Sequence, residues 1–465
     1  MPESQTTADS PLIVITTLAE YQTGFWASVA EYLREQGLSA AFISFDDRST
    51  EMLRARGFEV HSGVPDSEPV EALRLEDALR RFGVDNLSYW FSHERVTFAI
   101  RDSAELRRKL FGSMSRVHAV LEKMVSQGRR PVVVQEVGGF LSVIATYFAA
   151  RALHIDNWFI EPSFFRGRLF FTRNSFAAPD PRSAETLQPE VAAYLQETIR
   201  KRQIVVPIKD RHQYSAALGK VASLRNLRRL VQKVVDKYVL GKRQEFGYIG
   251  RHVGVHISML RNSLKLRKHY SSIESLGKFV YFPFHVPADM ALTLRAPEYL
   301  DQLALIDYML RVLPHTHVLA VKEHPAMIGA IDARRLIALK QRYDNLAIIS
   351  PATNNYEVLG KASLVVSINS KSGAEAMLVG TPVAVLGDAF YRRSGQVRVV
   401  ERLDDLGPAL RQVLQDEGAT ADRAAVERFF QGVWDDSHAG ELFVDTRDNA
   451  VKFGQGMIAA IGARG

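Results

Sequence analysis

Residues 365–387, "VVSINSKSGAEAMLVGTPVAVLG", decide how the chain is read. An apolar run breaks off into Ser, Asn, Lys and Gly, becomes a helix of small residues, and resumes as a second apolar run. That succession of strand, turn, helix and strand is the unit from which parallel sheets are built. Ser367, Ser370 and Ser372 fall where strand gives way to helix. A helix N-terminus presents unpaired backbone N–H groups and a partial positive charge, so the cluster reads in two ways. In one, Ser372 and Glu375, three residues apart, form a capping box and nothing more. In the other, Ser367, Asn369, Ser370 and Ser372 cradle a phosphate. Gly373 then lets the backbone come close to it, and Glu375 accepts from ribose hydroxyls.

The same alternation extends in both directions. "PLIVITT" (11–17), "LSAAFISF" (38–45), "PVVVQEVGGF" (131–140) and "DNWFIEPSFF" (156–165) read as strands separated by helices. After a helical stretch, "KFVYFPFH" (278–285), "HVLAVKEHP" (317–325), "LAIISP" (346–351) and the 365–387 unit repeat it. The boundaries this implies are 1–185 for a first Rossmann-like domain, 186–275 for a basic helical connector without obvious strands, 276–430 for a second Rossmann-like domain, and 431–465 for a C-terminal helical segment. Two such domains facing a cleft describe an α/β fold of the GT-B type. Ligands of open parallel sheets sit beyond the carboxyl ends of the strands, and "QEVGG", "KEHP" and "SINSKSG" all fall there.

Each of these clusters suits a charge-handling role. Lys322 and His324 would neutralise a phosphate, with Pro325 stopping the strand. Glu136 leaves its strand before Gly138 and Gly139. It is placed either to take a proton from a hydroxyl or to attack a carbon, or else to cap the next helix. Glu161, His285 and the pair His93–Glu94 are further cleft candidates that read equally as capping or backbone-bonded groups. The chain has no Asp-x-Asp triplet, so the expected site uses no metal.

Composition narrows the setting. The 465 residues are 46% hydrophobic and 24% charged, with no cysteine, which excludes disulfides, thiolate metal sites and a Cys nucleophile. The polar, acidic start reads as no secretory leader, and no apolar run is long enough to cross a bilayer. The expected location is the cytoplasm. The net charge of +7 is concentrated in 200–268, where basic residues outnumber acidic ones by about six to one. No zinc finger, aromatic RNA-binding signature or recognition-helix pattern accompanies it, so nucleic acid is not the expected partner. An anionic membrane surface is, with a solvated helical face as the alternative.

The stretch "KFVYFPFHVPADM…LPHTHVLAVKEHP…SLVVSINSKSGAEAMLVGTPVAVLGDAFY" resembles the bacterial capsule polysaccharide biosynthesis proteins, a group that includes Kdo (3-deoxy-manno-octulosonic acid) transferases. The likeness covers about 276–400, with "QEVGG" and "FIEPSF" matching more loosely. Bacterial sialyltransferases share its three-part pattern of acidic-Gly, His-Pro and serine motifs. The resemblance implies Glu136 as catalytic carboxylate, at a position where relatives commonly carry Asp. It implies Lys322, His324, Ser370, Ser372 and Gly373 on the nucleotide phosphate, and Glu375 on the nucleotide sugar. The expected donor is a CMP-linked ulosonic acid held by the second domain. The expected acceptor is a glycan or lipid-linked glycan held by the first, and no separate cofactor is implied. A sugar-nucleotide epimerase, a UDP-sugar transferase and a non-catalytic capsule assembly or export factor are the rival readings.

Overall fold

The computed structural model describes residues 10–65, 75–202, 231–232, 234–415 and 422–462. The first sheet begins with β1 (Leu12–Thr17), β2 (Ser39–Ser44), β3 (Glu59–Ser62), β4 (Pro131–Glu136), β5 (Asn157–Pro162) and β6 (Arg168–Arg173). The second contains β7 (Tyr270–Ser271), β8 (Phe279–Pro283), β9 (Val318–Lys322), β10 (Leu346–Ile349), β11 (Leu364–Ser367), β12 (Val383–Val385) and β13 (Arg398–Val399). A last strand, β14 (His438–Ala439), returns to the first sheet and pairs antiparallel with β6.

The orders are β14-β6-β5-β4-β1-β2-β3 and β13-β12-β11-β8-β9-β10-β7. β1 to β5 run parallel, as do all strands of the second sheet. Strands such as "LIVITT" and "FVYFP" are buried along their whole length. A parallel strand sandwiched between helices has no solvent face, so it reads as a continuous apolar run rather than an alternation. In each half the strand order reverses beside the first long strand, between β1 and β4 and between β8 and β11. A crevice opens at such a switch point beyond the carboxyl ends. Glu136 ends β4 and Ser367 ends β11, so both lie at switch points. The chain is a two-domain α/β protein of the GT-B type.

Three features depart from the reading of the sequence. The strand read over 156–165 stops at Pro162 and opens a hairpin: the chain turns at Gly167 with φ +75°, and a further strand, β6, returns antiparallel. The stretch 186–275 includes helices Pro189–Lys201 and Ile249–Leu266, with 203–230 and 233 outside the described residues. It also contributes a strand, β7, which pairs with β10 at the edge of the second sheet. Two residues are too few to show a two-residue period.

Residues 431–465 do not stand apart. After the helix Arg423–Asp435 the chain crosses back, adds β14 to the first sheet and lays the helix Arg447–Gly462 over it. There Phe453 and Met457 pack with Phe25 and Trp26, the Phe453 ring standing edge-on at 5.0 Å and 5.5 Å from the two. Ala450, Phe453, Met457 and Ala460 lie on one face of this helix, but only tertiary structure tells which sheet receives it. Phe453→Ala removes a fully buried ring from this seam. It is expected to cost about 3–5 kcal/mol in urea unfolding, as a lower midpoint with an unchanged slope.

Candidate functional site

The serine loop is built from the end of β11. Ser370, not Ser372, is the N-cap of the helix Lys371–Leu378, its Oγ accepting from the Ser372 N–H at 3.2 Å. The Ser372–Glu375 capping box therefore does not form. Ser367 is fully buried and its Oγ accepts from the Ser370 N–H at 3.0 Å. The Tyr391 hydroxyl lies 2.8 Å from the Ser370 carbonyl oxygen and 3.1 Å from Ser367 Oγ, and donates to one at a time. Gly373 is explained by the same ring, because a Cβ there would sit 2.2 Å from the Tyr391 oxygen. The glycine makes room for a tyrosine, where the sequence suggested room for a ligand.

Asn369 donates its backbone N–H to His285 Nε2 at 3.0 Å, while its side-chain Nδ2 donates to the Ala291 carbonyl at 2.5 Å. Its Oδ1 is buried without a partner. Burial holds the His285 imidazole at about 4, neutral and able to accept. His285 is thus the backbone-bonded member of its two readings.

Lys322 ends β9, buried, and donates to the Thr353 carbonyl at 3.0 Å. Burial pulls its ammonium down to about 8, with Glu375 acting in the opposite direction. His324 Nδ1 accepts from the Ala326 N–H at 3.3 Å and caps the short 3₁₀ turn that Pro325 begins. Between them Glu323, which the sequence did not single out, turns inward. Its Oε1 accepts from the N–H groups of Gly329 at 3.0 Å and Ile331 at 3.3 Å. Its Oε2 is buried without a partner, and burial raises the carboxyl to about 7.

Glu375 is 2% exposed, behind the loop rather than at its mouth. Its Oε2 accepts from Asn355 Nδ2 at 2.7 Å, and that amide nitrogen also lies 3.2 Å from Ser372 Oγ. Asn355 Oδ1 in turn accepts from the Tyr281 hydroxyl at 3.0 Å. Asn355, Tyr281 and Tyr391 gave no sequence signal, since each meets the loop only through the fold.

The opposing edge comes from the first sheet. Glu136 closes β4, paired in register with Ile160 of β5. On β5, Glu161 holds Arg295 with both oxygens, at 3.0 Å and 2.6 Å, and Arg295 lies in the segment after β8. Lys371, at the start of the serine helix, donates to the Ser163 carbonyl at 2.9 Å. The carboxyl ends of the two sheets therefore face each other, with Glu136 on the strand beside Glu161.

The turn after Glu136 is shaped by its neighbours. A Cβ at Gly139 would meet His93 Cγ at 2.3 Å, whereas one at Gly138 would make ordinary contact with Val143. His93 Nδ1 is 2.9 Å from Thr293 Oγ1 in the other domain, its imidazole neutral and held at about 4 by burial. Glu94 caps the helix Leu141–Ala152, accepting from the Leu141 N–H at 2.9 Å and from Lys109 at 2.7 Å. Lys109 also reaches Glu245 at 2.8 Å. Glu161 and His93 are thereby joints of the cleft, while Glu94 holds the helix after β4 within the first domain. Among the described residues no group of three or more His, Asp or Glu is arranged to hold a metal ion.

The model of the capsule polysaccharide biosynthesis protein family matches residues 146–399. The protein FixF of Sinorhizobium fredii is 28% identical over 170 residues, which are 36% of this chain and 40% of that protein. The chain thus spans about two fifths of that relative's length. Among solved structures, a Thermosulfurimonas dismutans KpsC beta Kdo 2,7 transferase aligns at 12% identity over 81% of this chain and 98% of its own, with a TM-score of 0.35. A glycosyltransferase of Rickettsia africae aligns at 8% identity over 98% of this chain and all of its own, with a TM-score of 0.33.

Burial raises the Glu375 carboxyl from 4.5 to about 7, so the folded state holds that proton more tightly than the unfolded chain. The stabilisation is complete below about 4.5 and lost as pH rises through about 7. Melting temperatures of wild type and Glu375→Gln should show this directly. The wild type loses ground to the variant between these limits, and the difference is flat above them.

Proposed function

This chain belongs to the capsule polysaccharide biosynthesis protein family, and from that premise we propose that it is a metal-independent transferase moving a CMP-linked ulosonic acid, of which Kdo is one, onto a glycan or lipid-linked glycan. The observation that carries this reading is the opposition of two edges. A capped helix N-terminus lies at the switch point of one sheet, with Lys322 ending β9 two strands along and His324 just beyond it, and Glu136 lies at the switch point of the other.

In this reading the second domain binds the nucleotide. The leaving phosphate rests at the start of the helix Lys371–Leu378, against Ser370, Ser372 and the first-turn N–H groups, with Lys322 supplying positive charge and His324, whose Nδ1 accepts from Ala326, offering its Nε2–H as a donor. Asn369, Pro325 and Gly373 shape this wall, and Ser367 holds it from beneath. Glu375 acts from behind, through Asn355, on the placement of Ser372. The acceptor hydroxyl approaches from the first domain across Gly138. Glu136 takes its proton while its oxygen bonds to the anomeric carbon, and the bond to the CMP phosphate breaks with its electron pair going to the phosphate. If Glu136 attacks instead, two displacements follow and the anomeric configuration is retained. The configuration of the product therefore assigns its role. The chain works at the inner face of the cytoplasmic membrane, where a lipid-linked acceptor is anchored, with 200–268 as its basic contact.

Thermal-shift titration tests the donor. At a hundred times its dissociation constant CMP should stabilise the protein by about 2.7 kcal/mol. EDTA should leave this unchanged and His324→Ala should abolish it. A UDP preference would move the donor to another class, and silence toward every nucleotide would favour a binding or assembly role. Glu136→Gln should lower kcat by about 10²–10⁴-fold while keeping the CMP shift, which a purely structural Glu136 would not do.

A further inference from the structure

The helix Ile249–Leu266 has two apolar faces, and the protein uses only one. Val255, Met259, Asn262 and Leu266 turn inward toward the helix Ala333–Arg342 and its preceding turn. Asn262 Nδ2 donates to the Gly329 carbonyl at 3.0 Å, and the backbones are so close that a Cβ at Gly329 would strike the Met259 carbonyl. On the opposite face stand Val253, Ile257, Leu260 and Leu264, exposed by 43%, 46%, 42% and 54%. Their spacing of four, three and four residues makes a single stripe.

The charge around the stripe says what covers it. Residues 249–268 contain five Lys or Arg and no Asp or Glu. Arg251 is engaged with Glu105 at 3.2 Å. Arg261, Lys265, Arg267 and Lys268 are exposed and make no ion pair among the described residues. A second exposed apolar set, Val234, Val235, Tyr238 and Val239, precedes this helix in the same basic stretch. A soluble helix hides its apolar side and wets its charged side; an interfacial helix pairs an apolar stripe with flanking cations and lies flat in a headgroup layer. A second copy of this chain would have to bring an acidic surface to the same helix.

We infer that the helix Ile249–Leu266 seats the protein on an anionic lipid surface, its stripe of Val253, Ile257, Leu260 and Leu264 sunk among the acyl chains and Arg261, Lys265, Arg267 and Lys268 on the phosphates. This deepens the proposed membrane setting: charge draws the protein in, and burial of apolar side chains retains it. The docking residues lie outside the cleft.

The test is co-sedimentation of the full chain with phosphatidylcholine vesicles, with and without about a third phosphatidylglycerol, and without any sugar donor. Wild type should bind the anionic vesicles and keep part of that binding in high salt. V253S/I257S/L260S/L264S should bind about a hundredfold more weakly with its melting temperature kept, and transfer to a water-soluble acceptor should persist. The indole introduced by Ile257→Trp should shift its emission to the blue only with anionic vesicles. Undiminished vesicle binding by the four-serine variant, or an indole that stays in water, overturns the inference. So does a four-serine variant that changes only from dimer to monomer in sedimentation, which assigns the stripe to a second copy. Vesicle binding without any transfer would sink the transferase reading and leave the docking intact; transfer without vesicle binding would do the reverse.

Discussion

The geometry of the cleft depends on a buried ion pair between domains, Arg295 with Glu161. Its two short bonds are joined by bonds from the same guanidinium to the Phe176 carbonyl at 2.7 Å and the Ala177 carbonyl at 3.2 Å. Taking two charges out of water is expensive, and only near-ideal geometry with every donor used offsets it. Such a pair contributes little net stability as a whole but makes any other alignment costly, because a displaced partner leaves a charge buried alone. The fork therefore works as a register pin. It fixes the strand beside Glu136 relative to the segment following β8, and so fixes what Glu136 faces.

Behind the pin the serine loop has its own hierarchy. Ser367 and Ser370 are committed to holding the turn, and Tyr391 locks both while requiring glycine at 373. The outer layer, on which the proposed phosphate site rests, comprises the Ser370 and Ser372 hydroxyls, the first-turn N–H groups, and Lys322 and His324 from the end of β9. Below it runs the chain from Tyr281 through Asn355 to Glu375, with Lys322 close enough for the two charges to act on one another. Burial lowers the lysine's pKa and raises the glutamate's, pushing each toward its neutral form, and the attraction between the two charges works against that.

The sequence made the strands of both sheets legible because helices cover them on both faces, and their apolar runs are hard to mistake. It also marked the strand-end residues Glu136, Lys322, Ser367 and Ser370, since ligands of parallel sheets gather there. Short or late elements escaped it: β7, β13 and β14 are two residues each, and β6 follows β5 after only a tight turn. Partners that come from far along the chain were not legible within the cluster. Gly373 answers to Tyr391, Ser372 and Glu375 to Asn355, and Glu161 to Arg295. Glu323 carried a usable signal, an acid between Lys322 and His324, but spacing alone does not tell an inward carboxylate from a solvated one.

The return of the last residues to the first sheet reorders assembly in time. Phe25 and Trp26 leave the ribosome more than 400 residues before the ring that covers them, Phe453. At ordinary elongation rates of about 5–20 residues per second, that interval is roughly twenty to ninety seconds. The second domain, whose strands are contiguous in the chain, has all its parts well before the first domain does. Until the helix Arg447–Gly462 emerges the nascent first domain carries an uncovered aromatic seam, a surface for chaperones to recognise.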